Sequence, residues 1–504
     1  MSDVPSSDLL NLTEYQALAD NLVLPQASFI DGAYHTGSGA PLSTTNPATG
    51  DVLATFAMAD SSDVDLAVRK AREAFDNGKW SNTHPAERKA ALIKLAKLMK
   101  RNSRQLAVME SLDSGKPISD CATIDIPEAI NTIIWHAEAI DKIYDDTAPA
   151  GSDAMAMIVR EAVGVVACIL PWNFPLLMLA WKLGPALAAG NCLIVKPAEQ
   201  TPLTALYLAQ LAHEAGIGRG VLQVLVGDGP TTGEALGRHM GIDMVSFTGS
   251  TETGKRFLSY AAESNMKQVT LECGGKNPAI VMDDAENLEA VAAHIANGAF
   301  WNLGQNCSAT SRLIVHKDIK EALLEKLAHH VKEWRQGDPL DPANKLGVLV
   351  DSEHHAKVQS YLDKAAKAKL PVIAQSTHDG IGPIIFEVES NDSFLAQEEV
   401  FGPVLSVITV NSFEEAILAA NQTDYGLAAS LFTANIKHAI RGAKAIKAGT
   451  VTVNSYGEGD ASTPFGGYKQ SGFGGRDNGL AAHDQFTELK TIWLDLSDNA
   501  PDEI

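Results

Sequence analysis

The segment FWNLGQNCSATSR sets one cysteine, Cys307, after a Gly-Gln turn, and LECGGKNPAIV, 35 residues upstream, carries Glu272. A cysteine can hold a substrate carbonyl as a covalent adduct, and a glutamate can activate the water that releases it, which are the two halves of covalent acyl chemistry. A free cysteine is more often a small buried hydrophobe. Gly304 with polar Gln305, Asn306 and Ser308 is poor company for a core residue, so the pair reads as nucleophile and base.

Elements must bring these two segments together. Between Val163 and Cys273 short apolar runs (VGVVACIL, CLIVKP, VLQVLVG, MVSFTG, QVTLEC) alternate with helical stretches, among them PLLMLAWKLGPALAAG and TPLTALYLAQLAHEAG. Such a succession predicts an open parallel sheet wound on both faces, a nucleotide-binding architecture. After Cys273 the pattern starts afresh with NPAIVM, a helix from about Asn287 to Phe300, the strand RLIVH and the helix IKEALLEKLAHHVKEW, which predicts a second α/β domain. AMAMIVRE and TELKTIWLDL alternate with period 2 and stand apart from both sheets, as subunit-pairing arms would.

Composition bounds the setting. The 504 residues are 45% hydrophobic and 20% charged, with a formal net charge of −22, so an ordinary folded protein is expected and a nucleic-acid or anionic-membrane partner is not. Five widely spaced cysteines without a CxxC pair argue against a disulfide framework and against a zinc site, so no metal is expected. The first residues carry no basic, apolar leader, and no apolar run is long enough to span a bilayer, which gives a cytoplasmic expectation.

The first α/β unit lacks GxGxxG. Instead FTGSTETGK runs from a strand into a helix, where Gly249, Ser250 and Gly254 let backbone and hydroxyl approach an anion at the positive helix end; a plain capped turn has the same composition. IVKPAEQTP adds Lys196 and Glu199, a cation and a carboxylate suited to the two hydroxyls of a ribose, or to a surface ion pair.

PWNFP, KPAEQTP, FTGSTETG, LECGGK, GQNC, EEVFGPV and PFGGYKQSG occur in the order and spacing of the NAD(P)-dependent aldehyde dehydrogenase superfamily, which the chain resembles over nearly its whole length. Within it, WHAEAIDKIYDD and the stretch FGGYKQSGFGGRDNGLAAHDQFTELKTIW resemble the gamma-glutamyl-gamma-aminobutyraldehyde and related omega-aminoaldehyde dehydrogenases of polyamine breakdown. The resemblance implies an α/β fold of two open domains, a Rossmann-like cofactor domain over 22–141 and 162–272 and a catalytic domain over 273–480. Small β oligomerisation arms at 142–161 and 483–504 would serve a homodimer or homotetramer. It also implies Cys307 as nucleophile, Glu272 as general base, and Asn173 as oxyanion donor beside the backbone N–H of Cys307.

For the cofactor the resemblance implies Lys196 and Glu199 at the adenosine ribose, Gly229 facing adenine, and Gly249, Ser250 and Gly254 at the pyrophosphate. Glu399 would hold the nicotinamide ribose, with Phe401 packed beside it, and Trp172 would complete the set. Glu199 should repel a 2′-phosphate, which favours NAD, with NADP accepted by some members of the pattern. Trp181, Trp301 and Phe473 match positions that line the family's aldehyde tunnel, although aromatics are as often core. Glu458 and Asp460, in NSYGEGDAST, and Asp125, ahead of a helix expected near Pro127, are carboxylates that could hold a cationic substrate tail, or else a hydrated loop and helix-start electrostatics. A structural member of the superfamily would have lost Cys307 or Glu272, and one that acylates coenzyme A typically lacks the base, so oxidation to the free acid is expected. Cys273, beside Glu272, departs from the usual Leu or Ala.

Overall fold

The computed structural model describes residues 9–378 and 380–497. Two hairpins come first, β1 (Ser28–Ile30) with β2 (Ala33–His35) and β3 (Pro41–Thr45) with β4 (Val52–Ala57); a helical stretch follows, then β5 (Asp146–Ala148) and β6 (Ala154–Ala162). Strand and helix then alternate through β7 (Val165–Ile169), β8 (Cys192–Lys196), β9 (Leu222–Val224), β10 (Met244–Thr248) and β11 (Gln268–Glu272). A second alternation contains β12 (Asn277–Val281), β13 (Thr310–His316), β14 (Val372–Gln375), β15 (Ile384–Glu387), β16 (Val404–Val410), β17 (Ala428–Phe432) and β18 (Thr450–Val453). The chain ends on β19 (Gly472–Phe473) and β20 (Thr487–Asp495).

The first sheet has the order β19-β11-β10-β7-β8-β9-β1-β2, with β11 to β9 parallel, and the second the order β14-β15-β16-β13-β12-β17-β18, parallel except for β14. The central strands VVACI, CLIVK, MVSFT and AASLF are buried at every position. That is the demand of a sheet covered by helices on both faces, and it explains continuous apolar runs where a one-sided sheet would alternate. The helices Pro175–Ala189 and Leu203–Ala215 stop as the sequence predicts, each at a left-handed glycine, Gly190 and Gly216.

Two expectations need correction. The second domain was expected to run to residue 480, yet β19 pairs antiparallel with β11 and Phe465 sits in the first hydrophobic core, as does Phe486 of the segment expected as an arm. A two-residue strand has no period by which sequence could reveal its partner. The helix expected near Pro127 is continuous with a π-helical turn over Cys121–Asp125, so Asp125 lies inside a helix. The segments expected as arms pair with each other within the chain: β20 runs antiparallel to β6 from Thr487↔Ala162 to Asp495↔Ala154, and β5 flanks β6. Leu489, Trp493 and Leu494 of β20 are exposed; residues 498–504, assigned to the same arm, lie outside the described residues.

The second core is pinned by Arg312 of β13, which is completely buried. Its guanidinium donates to Lys276 O at 2.9 Å and to Asn391 Oδ1, Ala419 O and Ala420 O at 3.0 Å each. Arg312→Met keeps the apolar stem but strands those acceptors, a loss of about 3 kcal/mol or more at the usual cost of unsatisfied buried groups. Scanning calorimetry should register a Tm lower by several degrees.

Candidate active site

In the first sheet the connections run from β7 to β8 and β9 on one side, then return to β10 and β11 on the other. The chain therefore diverges at the carboxyl ends of β7 and β10, the crevice where open α/β sheets bind ligands. The loop after β7 carries Trp172 and Asn173, and the turn after β10 carries Gly249 and Ser250; all four line one cavity with Glu272, Cys307, Glu399 and Phe401.

Cys307 reaches this crevice on a strained turn. Asn302, Leu303 and Gly304 have φ values of 50, 53 and 68°, three consecutive left-handed residues between the helix Leu288–Phe300 and β13. Non-glycine residues avoid that region, so packing must hold them there. Gly304 is required twice over, since a Cβ would come within 2.3 Å of Gly402 O. Gln305 locks the turn, donating to Asn302 O at 3.1 Å and accepting from Val350 N at 3.0 Å. Asn277 Nδ2 donates to Cys307 O at 2.8 Å. Asn173, buried, donates from Nδ2 to Gln305 O at 3.0 Å, which ties the loop after β7 to the nucleophile turn and leaves one N–H of the amide free.

Cys307 is partly exposed to the cavity, and burial pushes its thiol pKa well up, with Glu458, Glu272 and Glu399 adding negative charge. Burial also raises Glu272, the nearby Asp477 charge assists, and its Oε2 has no hydrogen-bond partner. A carboxyl held partly neutral and unsatisfied beside a thiol is suited to exchanging protons. Asp477 is itself paired with Lys182 at 3.2 Å, both buried. Neither residue was singled out in the sequence; the available signal was one lysine in the otherwise apolar helix PLLMLAWKLGPALAA.

A groove of about 710 Å³ continues from the cavity along Lys196, Glu199 and Gly229, sharing Trp172, Gly249 and Ser250 with it. Buried Lys196 Nζ lies 3.3 Å from Glu199 Oε2, and a Cβ on Gly229 would meet nothing within 4 Å. Ser250 caps the helix Thr251–Ala262 by accepting from Thr253 N at 3.2 Å. Gly254 faces away from the groove: a Cβ there would press on Cys273 Sγ at 3.2 Å, so this glycine serves helix-to-strand packing. Glu399 accepts from Gly275 N at 2.9 Å, and Phe401, left-handed at φ 58°, stands edge-on to Trp172 at 5.3 Å. His354, which the sequence reading did not pick, packs between those two aromatics and is kept neutral by burial, its pKa lowered to about 4.

The expected substrate residues divide. Trp181 lines the cavity against Phe465. Trp301 faces Phe174 at 5.1 Å and donates from Nε1 to Asp120 Oδ2 at 2.9 Å. Glu458 accepts from Ser308 Oγ, immediately next to the nucleophile. Of the six, Trp181 alone is among the residues that line the cavity, and Trp301, Glu458, Asp125, Asp460 and Phe473 are not. Asp125 is fully buried and held by Lys116 at 2.5 Å, Asp460 is exposed and holds its own turn through Ser462 N at 2.8 Å, and Phe473 is a half-exposed residue of the edge strand β19. Cys273, between Glu272 and the glycine pair, is buried and lines the same cavity.

A thiol, an unsatisfied carboxyl and an amide donor gathered at the divergence of a doubly wound sheet define a covalent acyl-transfer site with a dinucleotide-sized groove behind it. Residues 34–492 match the aldehyde dehydrogenase family, and the chain belongs to that family. It is 58% identical to an aminoacetaldehyde dehydrogenase of Pseudomonas aeruginosa, over 97% of this chain and 100% of that one. Its fold superposes on indole-3-acetaldehyde dehydrogenase complexed with NAD+ with a TM-score of 0.95 at 46% identity, over 97% of this chain and 100% of the other. A gamma-glutamyl-gamma-aminobutyraldehyde dehydrogenase from Burkholderia cenocepacia superposes with a TM-score of 0.93 at 44% identity, with the same coverage.

The carboxylate charges around Cys307 set a measurable reactivity. Glu458→Gln removes a negative charge beside the thiol, which favours the thiolate and lowers the thiol pKa. Alkylation of the protein without cofactor by iodoacetamide at pH 7 should become several-fold faster, with its pH profile displaced to lower pH.

Proposed function

We propose that the chain oxidises a short aldehyde carrying an amino group to the carboxylic acid, with Cys307 as nucleophile, Glu272 as base and NAD as cofactor. The observation that carries the chemistry is the shared cavity of Cys307, Glu272 and Asn173. The Cys307 sulfur gives its proton to Glu272 or water and adds to the carbonyl carbon. The resulting oxyanion sits toward Asn173 Nδ2 and the Cys307 N–H. Bound NAD supplies the acceptor for the hydride that leaves the adduct. Glu272 then takes a proton from water, the hydroxide attacks the thioester carbon, and the sulfur departs as the acid forms.

The groove fits a dinucleotide. A ribose diol fits the Lys196–Glu199 pair, an anion fits the capped helix start at Ser250, and a second sugar fits between Glu399 and Phe401. Glu199 opposes a 2′-phosphate, which favours NAD over NADP. Lys196 stays buried against Glu199, and open space at Gly229 leaves room for a planar base.

The amino group is assigned from Glu458, a half-buried carboxylate hydrogen-bonded to the residue next to Cys307, and from the aminoaldehyde names of the relatives. A carboxylate so close to the nucleophile suits an ammonium only a few carbons from the aldehyde. Asp460, turned to its own loop, takes no part. The exposed apolar residues of the β6–β20 arm suit pairing with a second copy of the chain as a homodimer or homotetramer, and five free cysteines suit the reducing cytoplasm.

Cys307→Ala should abolish NADH production from propanal and NAD. Glu272→Gln should leave one rapid burst of NADH and a steady rate lower by about a hundredfold, within the usual range for losing a general base. For substrate choice, Glu458→Gln should cut kcat/KM on 3-aminopropanal about tenfold more than on propanal, the value of one charge-assisted contact. Equal losses on the two aldehydes would remove the amino-group assignment, and tighter binding of NADP than NAD would remove the cofactor preference.

A further inference from the structure

Helix Ser103–Ser114 lies outside the cavity, yet it contributes two completely buried carboxylates, Glu110 and Asp113. Glu110 Oε1 accepts from Leu176 N at 3.2 Å, and its Oε2 accepts from Thr204 Oγ1 at 2.9 Å. Leu176 is the second residue of the helix Pro175–Ala189, which starts two residues after Asn173. The N-cap of that helix is Phe174, which offers no side-chain acceptor, and Pro175 has no N–H. Met178 N is satisfied by Phe174 O, so the free amide at this helix start is answered from another element. A carboxyl there also lies at the positive end of the helix dipole.

We infer that Glu110 is a positioning residue that fixes Asn173 through the N-terminus of the helix Pro175–Ala189. The inference rests on the oxyanion role of Asn173 proposed above. Asn173 is held toward the turn before β13 by its bond to Gln305 O and by Asn302 Nδ2, which donates to Asn173 O at 3.3 Å, and on the other side by this helix start, where Glu110 accepts from Leu176 N. Asp113 provides a matched comparison one turn along. It accepts from Leu203 N at 3.0 Å at the start of the helix Leu203–Ala215, and from Thr44 Oγ1 at 2.6 Å, and neither partner lines the cavity. Burial pushes Glu110 to about 7 and Asp113 to about 8, so near neutrality neither need be fully ionised, and hydrogen-bond acceptance is the property that both sites require.

The test compares the pre-steady-state NADH burst of the full-length enzyme, mixed with saturating NAD and propanal, in a set of variants. Glu110→Ala should slow the burst about tenfold, part of the loss that follows removal of a whole oxyanion donor, while the Kd for NAD stays within about twofold. Glu110→Asp, which keeps the carboxyl but withdraws it, serves if the alanine variant does not fold and should show the same direction. Glu110→Gln, which retains an acceptor, should restore most of the rate. Asp113→Asn should lower Tm without changing the burst. In an Asn173→Ala background, Glu110→Ala should add nothing further. A full additional tenfold loss in that background, or a burst as fast as wild type in Glu110→Asp with only Tm lowered, overturns the inference. An Asn173→Ala enzyme with an unimpaired burst would overturn the oxyanion assignment as well, an outcome distinct from the other two.

Discussion

The hydrogen bond from Asn173 to Gln305 O is the joint on which the site depends. One partner belongs to the loop that leaves the first sheet, the other to the turn that enters the second, and no covalent path shorter than 132 residues connects them. Either sheet alone would be an ordinary α/β layer. Joined end to end, the carboxyl edge of one and the amino edge of the other bring a sulfur, a carboxyl and an amide to one cavity. The left-handed run at Asn302, Leu303 and Gly304 is the conformational cost of that meeting.

Around this joint the electrostatics favour a resting thiol over a resting thiolate. Burial raises the thiol first, the charges of Glu458, Glu272 and Glu399 act in the same direction, and the Ser308 amide opposes them. A nucleophile kept protonated until a cationic partner arrives is protected from adventitious alkylation and oxidation. In the proposed reaction the same negative charges would attract an ammonium group and restrain the thiol together. Behind Glu272, Asp477 adds to the effect of burial in raising the carboxyl, and its ion-pair partner Lys182 opposes it.

Much of this was legible in the chain itself. The buried strands read as continuous apolar runs because a parallel sheet covered on both faces needs nothing else, and Gly190 and Gly216 marked helix ends because only glycine takes a left-handed cap without strain. Cys307 and Glu272 stood out through their unusual neighbours. What escaped was nonlocal. Lys182 and Asp477 are 295 residues apart and carry no spacing signal, His354 joins the groove only through packing, and β19 is too short to declare its sheet. Asp125 and Asp460 have the right chemistry for a cation but are occupied, one by Lys116 and the other by its own turn. Composition tells which groups exist; only the fold tells which are already satisfied.

The pairing of β6 with β20 sets an order on how the molecule comes into being. Lys490 meets Glu161 across 329 residues, so the ribbon cannot close until almost the entire polypeptide has left the ribosome. The first sheet waits almost as long, since β19 and Phe486 complete it, whereas the strands of the second sheet, which end at Val453, are all made earlier.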